Sequence, residues 1–142
     1  MHSFFLARIA ALLGAWLLVA PAAVSPAEVE KAPKTMVSLV ETDNGRTIDV
    51  RPGETVQVTL PENATTGFRW AVDHYDQDSI EAVSTEPHYP AKAVGAGGEV
   101  AFSFRAKKIG SGEIVLKHWR PWEGDASVTD CFRVQLHVQP QR

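Results

Sequence analysis

The sequence predicts an all-β fold, an antiparallel sandwich of about seven strands, and three observations carry that prediction. Apolar and polar residues alternate with a period of two through most of residues 36–138, and Gly, Pro, Asn and Asp interrupt the alternation at short intervals. No stretch of comparable length repeats with the 3.6-residue period of a helix. Taken in order, strand signals fall at residues 36–41, 47–50 and 55–60. The third is the cleanest, with Val56, Val58 and Leu60 on one side and Thr55, Gln57 and Thr59 on the other. Asp43-Asn44-Gly45 and Arg51-Pro52-Gly53 mark the turns between them. Phe68, Trp70 and Val72 share one face of the next strand, opposite Arg69, Ala71 and Asp73. Trp70 is expected on a central strand, filling the core as a tryptophan does in immunoglobulin domains, although the cysteine pair of antibody domains is missing. Residues 80–85 carry a weaker strand signal, and Glu86-Pro87-His88-Tyr89-Pro90 reads as irregular. Val100, Phe102, Phe104 and Ala106 then alternate with Ala101, Ser103 and Arg105. Residues 107–112 turn the chain, Ile114, Leu116 and His118 resume the period, and Phe132, Val134, Leu136 and Val138 form the apolar face of the last strand.

Residues 1–27 read as a secretory signal peptide. Arg8 is their one firm positive charge, Ile9 to Val19 is an apolar run, and Ala20-Pro21-Ala22 or Ser25-Pro26-Ala27 offers small residues for cleavage after about residue 22 to 27. The run falls short of the roughly 20 residues that span a bilayer, so no membrane association is expected after its removal. A periplasmic or secreted location is expected instead. Residues 28–35 form a flexible leader with two Lys, two Glu and a Pro, and residues 36–142 form one domain. About 115 residues then remain, enough for a single core without disulfide staples. The formal charge of -3 becomes about -4 once Arg8 is removed, since no other formal charge precedes Glu28. Acidic and basic residues are well mixed along the rest, which argues against nucleic acid and points to a protein or small-molecule partner. Cys131 is the only cysteine, so no internal disulfide forms, and alternation places it on the polar face with Arg133 and Gln135. An unpaired thiol shaded by neighbouring side chains is favoured over pairing with another chain, and a monomer is expected.

Three loop motifs lie between these strands. In Asn63-Ala64-Thr65-Thr66-Gly67-Phe68, Asn and Gly suit a tight bend, whereas two β-branched threonines are poor turn formers with stiff χ1 angles, offering two hydroxyls on a rigid tip. Asn63-Ala64-Thr65 also matches a glycosylation acceptor, relevant only in a eukaryotic secretory pathway. Gly95-Ala96-Gly97-Gly98 leads into a strand rather than a helix, which argues against a phosphate cradle and for a flexible loop or a bare backbone that a partner approaches closely. Arg120-Pro121-Trp122-Glu123-Gly124 places Trp122 in a Pro/Gly loop after its strand has supplied its core residues. An exposed binding anchor is favoured there over a lid folded across the sandwich end with Arg120 paired to Glu123. No catalytic constellation emerges: His74, His88, His118 and His137 lack close metal-ligand spacing, and Cys131 sits mid-strand. Asp73, Asp76 and Asp78 lack the Gly and Glu that complete a calcium loop.

With these three loops in this order, the chain resembles the chagasin family of cysteine peptidase inhibitors (inhibitor family I42), whose members carry Asn-Pro-Thr-Thr-Gly, Gly-rich and Arg-Pro-Trp-x-Gly loops. Leu60-Pro61, Phe68-x-Trp70 and Tyr89-Pro90 add to the likeness, which spans roughly residues 36–138. The resemblance implies an immunoglobulin-like sandwich with no enzymatic activity, no cofactor and no metal. It further implies reversible, non-covalent, tight inhibition of papain-like cysteine peptidases by three loops entering the active-site cleft. Carried over residue by residue, Asn63, Ala64, Thr65, Thr66 and Gly67, followed by Phe68, form the central wedge. Gly95, Ala96, Gly97 and Gly98 lie on one flank, and Arg120, Pro121, Trp122 and Gly124 on the other. Ala64 stands where the family carries proline, which removes a φ lock worth on the order of 1 kcal/mol. The alternative from another class is an exported immunoglobulin-like module that binds cell-envelope glycan or protein, with Trp122 and Tyr89 as stacking platforms.

Overall fold

The computed structural model describes Gly14, residues 35–90 and residues 97–141. The predicted signal peptide, all of the predicted leader except Thr35, and Gly95 and Ala96 of the glycine segment lie outside the described residues, Gly14 apart. Eight strands are described: β1 (Met36–Val40), β2 (Thr47–Val50), β3 (Thr55–Glu62), β4 (Arg69–Tyr75), β5 (Ile80–His88), β6 (Gly98–Ala106), β7 (Gly110–Trp119) and β8 (Asp130–Val138). They form two four-stranded sheets, in the orders β1-β3-β6-β5 and β2-β8-β7-β4. The core lies between them. Val56, Val58 and Leu60 of β3, Phe102 and Phe104 of β6, Ile114 and Leu116 of β7, and Phe132, Val134 and Leu136 of β8 are all buried. Each such side chain contributes about 1.5–3 kcal/mol relative to exposure, so these four central strands hold the fold without a disulfide.

Four features depart from the sequence expectation. The sandwich is not purely antiparallel: β1 pairs with β3, and β2 with β8, in parallel. The chain passes from the first sheet to the second and back over β1, β2 and β3, and side-chain alternation carries no information about strand direction. Residues 86–88 are strand rather than irregular, because β5 is an edge, where Pro87 removes no hydrogen bond that the sheet needs. A bulge between Ala82 and Ser84 interrupts that edge and leaves Val83 exposed. Trp70 also sits on an edge strand, β4, not a central one, yet it is buried. Its indole N–H donates to the Pro61 carbonyl at 3.0 Å, so it closes one end of the sandwich by joining the two sheets. Cys131, finally, is exposed rather than shaded. In β4 a second bulge, between Val72 and His74, shifts the phase, so that Tyr75 packs against the core with its ring edge-on to Phe104 at 5.7 Å.

Strand register fixes where the loops emerge. Glu62 at the end of β3 lies opposite Gly98 at the start of β6, and Arg69 at the start of β4 lies opposite Trp119 at the end of β7. Trp70 ties these two corners together. The loops after β3, before β6 and after β7 therefore leave the sandwich at the same pole.

Candidate functional site

The first loop is one turn of 3-10 helix, Ala64–Thr66, closed by its own side chains. Asn63 Oδ1 accepts from the Thr65 backbone N–H at 3.1 Å and from the Thr65 hydroxyl at 2.6 Å. The Thr66 hydroxyl donates to the Asn63 carbonyl at 2.8 Å and accepts from the Phe68 N–H at 3.2 Å. Both hydroxyls are therefore turned inward as braces, not presented on the tip, because a short polar side chain competes well for its own backbone. Each such bond contributes about 0.5–1.5 kcal/mol net, and together they stiffen a bend that threonine disfavours. Thr65 and Thr66 nevertheless remain exposed. Gly67 ends the turn at φ 80°, and a Cβ there would meet Trp122 Cη2 at 2.6 Å and Cζ2 at 3.0 Å. Glycine is needed both for the left-handed backbone and for the approach of the tryptophan.

The third loop carries two further 3-10 turns, Pro121–Glu123 and Asp125–Ser127. Pro121 opens the first, where its missing N–H is not needed. Gly124 joins them at φ 74°, ψ -166°, a region essentially confined to glycine. Ser127 Oγ accepts from the Arg120 N–H at 2.9 Å and lies 2.6 Å from the Gly124 carbonyl, which pins the base of the loop. Below it, Lys117 Nζ lies 2.9 Å from Asp125, 3.4 Å from Asp73 and 3.7 Å from the centre of the Trp119 ring. The hydrogen bond that Lys117 donates to Asp125 raises the Lys117 pKa above its ordinary value. Trp122 is 68% exposed, so it is no lid over the core. The Arg120–Glu123 pair expected with a lid does form, at 3.3 Å, while the other guanidinium nitrogen, Nη2, donates to the Thr66 carbonyl at 3.3 Å. The same guanidinium lies 4.3 Å above the Phe68 ring. Arg120 and Trp122 thus weld the third loop to the first.

Of the glycine segment, Gly97 and Gly98 are described, and Gly98 starts β6 beside Glu62. A Cβ on Gly98 would run into the Tyr89 ring and come within 2.6 Å of the His88 carbonyl. Gly97, Gly98, Thr66, Phe68 and Arg120 line one shallow depression with Asn63. All three loops therefore border it.

Two side chains at this pole were not singled out as site residues in the sequence. Glu62 is 6% exposed; it accepts from the Trp70 backbone N–H at 2.7 Å with Oε2 and from the Tyr89 hydroxyl with Oε1. Burial, and next the bond to Glu62, raises the Tyr89 pKa. His118 stacks on Phe68 at 5.4 Å and lies tilted against Trp70 at 5.0 Å, with Nδ1 3.1 Å from Thr129 Oγ1. Phase was the available signal: Glu62 continues Val56, Val58 and Leu60, and His118 continues Ile114 and Leu116, so each is a polar residue at a core-facing position.

Comparison with known proteins agrees with this fold. Residues 49–136 match the model of the chagasin family peptidase inhibitor I42. Chagasin of Trypanosoma cruzi is 36% identical over 98 residues, covering 66% of this chain and 89% of that protein. Amoebiasin-1 of Entamoeba histolytica is 33% identical over 105 residues, covering 72% of this chain and all of the other. Among solved structures, the solution structure of Amebosin superposes with a TM-score of 0.64 at 30% identity, covering 74% of this chain and 99% of that one. The crystal structure of the cysteine protease inhibitor EhICP2 from Entamoeba histolytica has the same fold, with a TM-score of 0.65 at 20% identity over 73% of this chain and 96% of that one.

Proposed function

The chain belongs to the chagasin family of peptidase inhibitors, not enzymes, and we propose that it blocks papain-like cysteine peptidases reversibly by seating one loop-built ridge in their active-site cleft. The observation that supports this reading most is the contact between loops distant in sequence: Trp122 on Gly67, and Arg120 on Thr66 and Phe68. In this reading Asn63, Ala64, Thr65, Thr66 and Gly67 are the central wedge, with Arg120, Pro121 and Trp122 on one flank and the segment of Gly95, Ala96, Gly97 and Gly98 on the other. A peptidase cleaves an extended strand whose carbonyl carbon comes about 3–3.5 Å from the thiolate in line for attack. A 3-10 turn held by the Asn63, Thr65 and Thr66 side chains denies that geometry, and it must lose those bonds before it can be cut. Trp122, exposed on one side and backed by Gly67 on the other, is a pre-placed anchor that loses little rotamer freedom on docking. Three contact lines together bury roughly 1,600 Å², the usual size for a peptidase–inhibitor pair. The signal-like residues 1–27 support a periplasmic or secreted site of action. Titrating papain with the purified protein, while following hydrolysis of a small peptide substrate, tests the proposal. Stoichiometric loss of activity is expected; full activity at micromolar protein would reject it in favour of an envelope-binding module.

A further inference from the structure

Among the described residues, Glu62 is the charged side chain buried in the sandwich. A carboxylate taken out of water costs several kcal/mol unless hydrogen bonds replace its hydration, and an apolar residue would continue the phase of Val56, Val58 and Leu60 without that penalty. Its partners indicate what the carboxylate is for. Glu62 immediately precedes the first loop, and its Oε2 holds the N–H of Trp70, which follows that loop. Its Oε1 holds the hydroxyl of Tyr89, which precedes the glycine segment, while its backbone pairs with Gly98, the last residue of that segment. The Tyr89 ring in turn occupies the space that a Gly98 side chain would need. Glu62 thus stands at one end of the first loop, is bonded by its side chain to Trp70 at the other end and to Tyr89, and is paired by its backbone with Gly98.

We propose that Glu62 and Tyr89 are a positioning pair that sets the first loop and the start of β6 at Gly98 in fixed register, so that both meet the peptidase cleft together. Neither residue needs to touch the peptidase, and the inference rests on the inhibitor reading above. Rigid register lowers the ordering entropy lost on binding, so breaking the pair weakens inhibition even where the fold persists.

The test compares Glu62→Ala, Glu62→Gln, Tyr89→Phe and the Glu62→Ala/Tyr89→Phe double variant for inhibition of papain, at temperatures where each is fully folded. A Gln carbonyl still accepts from Trp70, and its amide donates to the Tyr89 oxygen, so Glu62→Gln should rescue to within about 3-fold of the wild-type Ki. Glu62→Ala should raise Ki by about 10-fold or more and Tyr89→Phe by about 3-fold or more, with the double variant no worse than Glu62→Ala alone. Val138→Ala, in the core at the opposite pole, is the control: it should lower Tm and leave Ki unchanged. In the free protein, amide exchange at Trp70 and Gly98 should quicken by about 10-fold in Glu62→Ala and stay near wild type in Glu62→Gln. Should Glu62→Ala fail to fold, Tyr89→Phe and Glu62→Gln decide. Wild-type Ki in folded Glu62→Ala or Tyr89→Phe, additive effects in the double variant, or unchanged exchange would overturn the proposal. Failure of wild-type protein to inhibit papain would reject the inhibitor reading instead, and the exchange measurement would still report whether the pair couples the first loop to the start of β6.

Discussion

Glycines at the two poles of the sandwich adopt similar backbone angles for different reasons. At the pole away from the loops, Gly53 turns the chain between β2 and β3 at φ 89°, and a side chain there would meet nothing within 4 Å. At the loop pole Gly67 turns the chain at φ 80°, but a tryptophan from 55 positions later occupies the space beside it. The same contrast extends to polar groups. The 51–54 turn is closed by the Arg51 N–H donating to Glu54 at 2.9 Å. Its other bonds run to the strand end beside it, from the Gly53 N–H to the Ala106 carbonyl at 2.8 Å and from the Ala106 N–H to the Glu54 carbonyl at 3.0 Å, and to Gln141. At the loop pole, bonds run between loops, from Arg120 to Thr66 and from Tyr89 to Glu62. The 51–54 turn is tied by backbone bonds to the neighbouring strand end, whereas at the loop pole side chains from one loop are fixed against another.

Substituting the two glycines exposes this difference most sharply. Gly53→Ala pays only for the left-handed backbone, about 1–2 kcal/mol of stability, and should leave inhibition intact. Gly67→Ala carries the same strain and also displaces Trp122, so papain inhibition should weaken by about 100-fold, measured as Ki alongside Tm. Trp122→Ala removes the anchor itself: a loss of about 2 kcal/mol of binding, roughly 30-fold in Ki, is expected with Tm almost unchanged, since the ring is mostly exposed. Equal effects of the two glycine substitutions on Ki would abolish the distinction between the poles.

Much of this contrast was legible in the chain, and its gaps have physical causes. The alternation of Val56, Val58 and Leu60, of Phe102 and Phe104, and of Phe132, Val134 and Leu136 identified core strands, because a period of two reports which face is buried. It does not report direction or neighbours, so the parallel β1–β3 and β2–β8 pairings and the edge position of Trp70 could not be read. Pro87 looked like a strand breaker because its tolerance depends on β5 being an edge. The three loop motifs stood out as sequence, but hydroxyl direction is a matter of rotamer and local backbone, so the inward bonds of Thr65 and Thr66 appear only in three dimensions. Glu62 stands in core phase as a carboxylate, but Pro61 interrupts the strand signal after Leu60, while the strand itself runs on to Glu62.

Smaller effects refine the comparison further. Ala64 opens the 3-10 turn of the first loop, as Pro121 does in the third, and Asn63 before it is extended at φ -116°, ψ 97°, compatible with a following proline. Ala64→Pro should therefore stiffen the loop and tighten inhibition by about 0.4–1 kcal/mol, or 2- to 5-fold in Ki. Weaker inhibition would show that the loop must adjust as it docks. Outside the ridge, the Asp43 carboxylate accepts from the Val40 N–H and then from Arg46, which together hold its pKa below the ordinary 3.8. A depressed carboxylate contributes stability that is present above that value and is lost as pH falls below it toward the folded pKa. Wild-type protein should lose stability over that acid range a little more steeply than Asp43→Asn in urea titrations, with no change in Ki at neutral pH.

The central claim is that one pre-formed ridge occupies the peptidase cleft and resists being cut, and it is tested most directly by measuring apparent Ki for papain at increasing substrate concentration and then weighing the recovered inhibitor. The account predicts an apparent Ki that rises linearly with substrate and an inhibitor of unchanged mass. An apparent Ki indifferent to substrate, or a protein cut within residues 63–67, would contradict it.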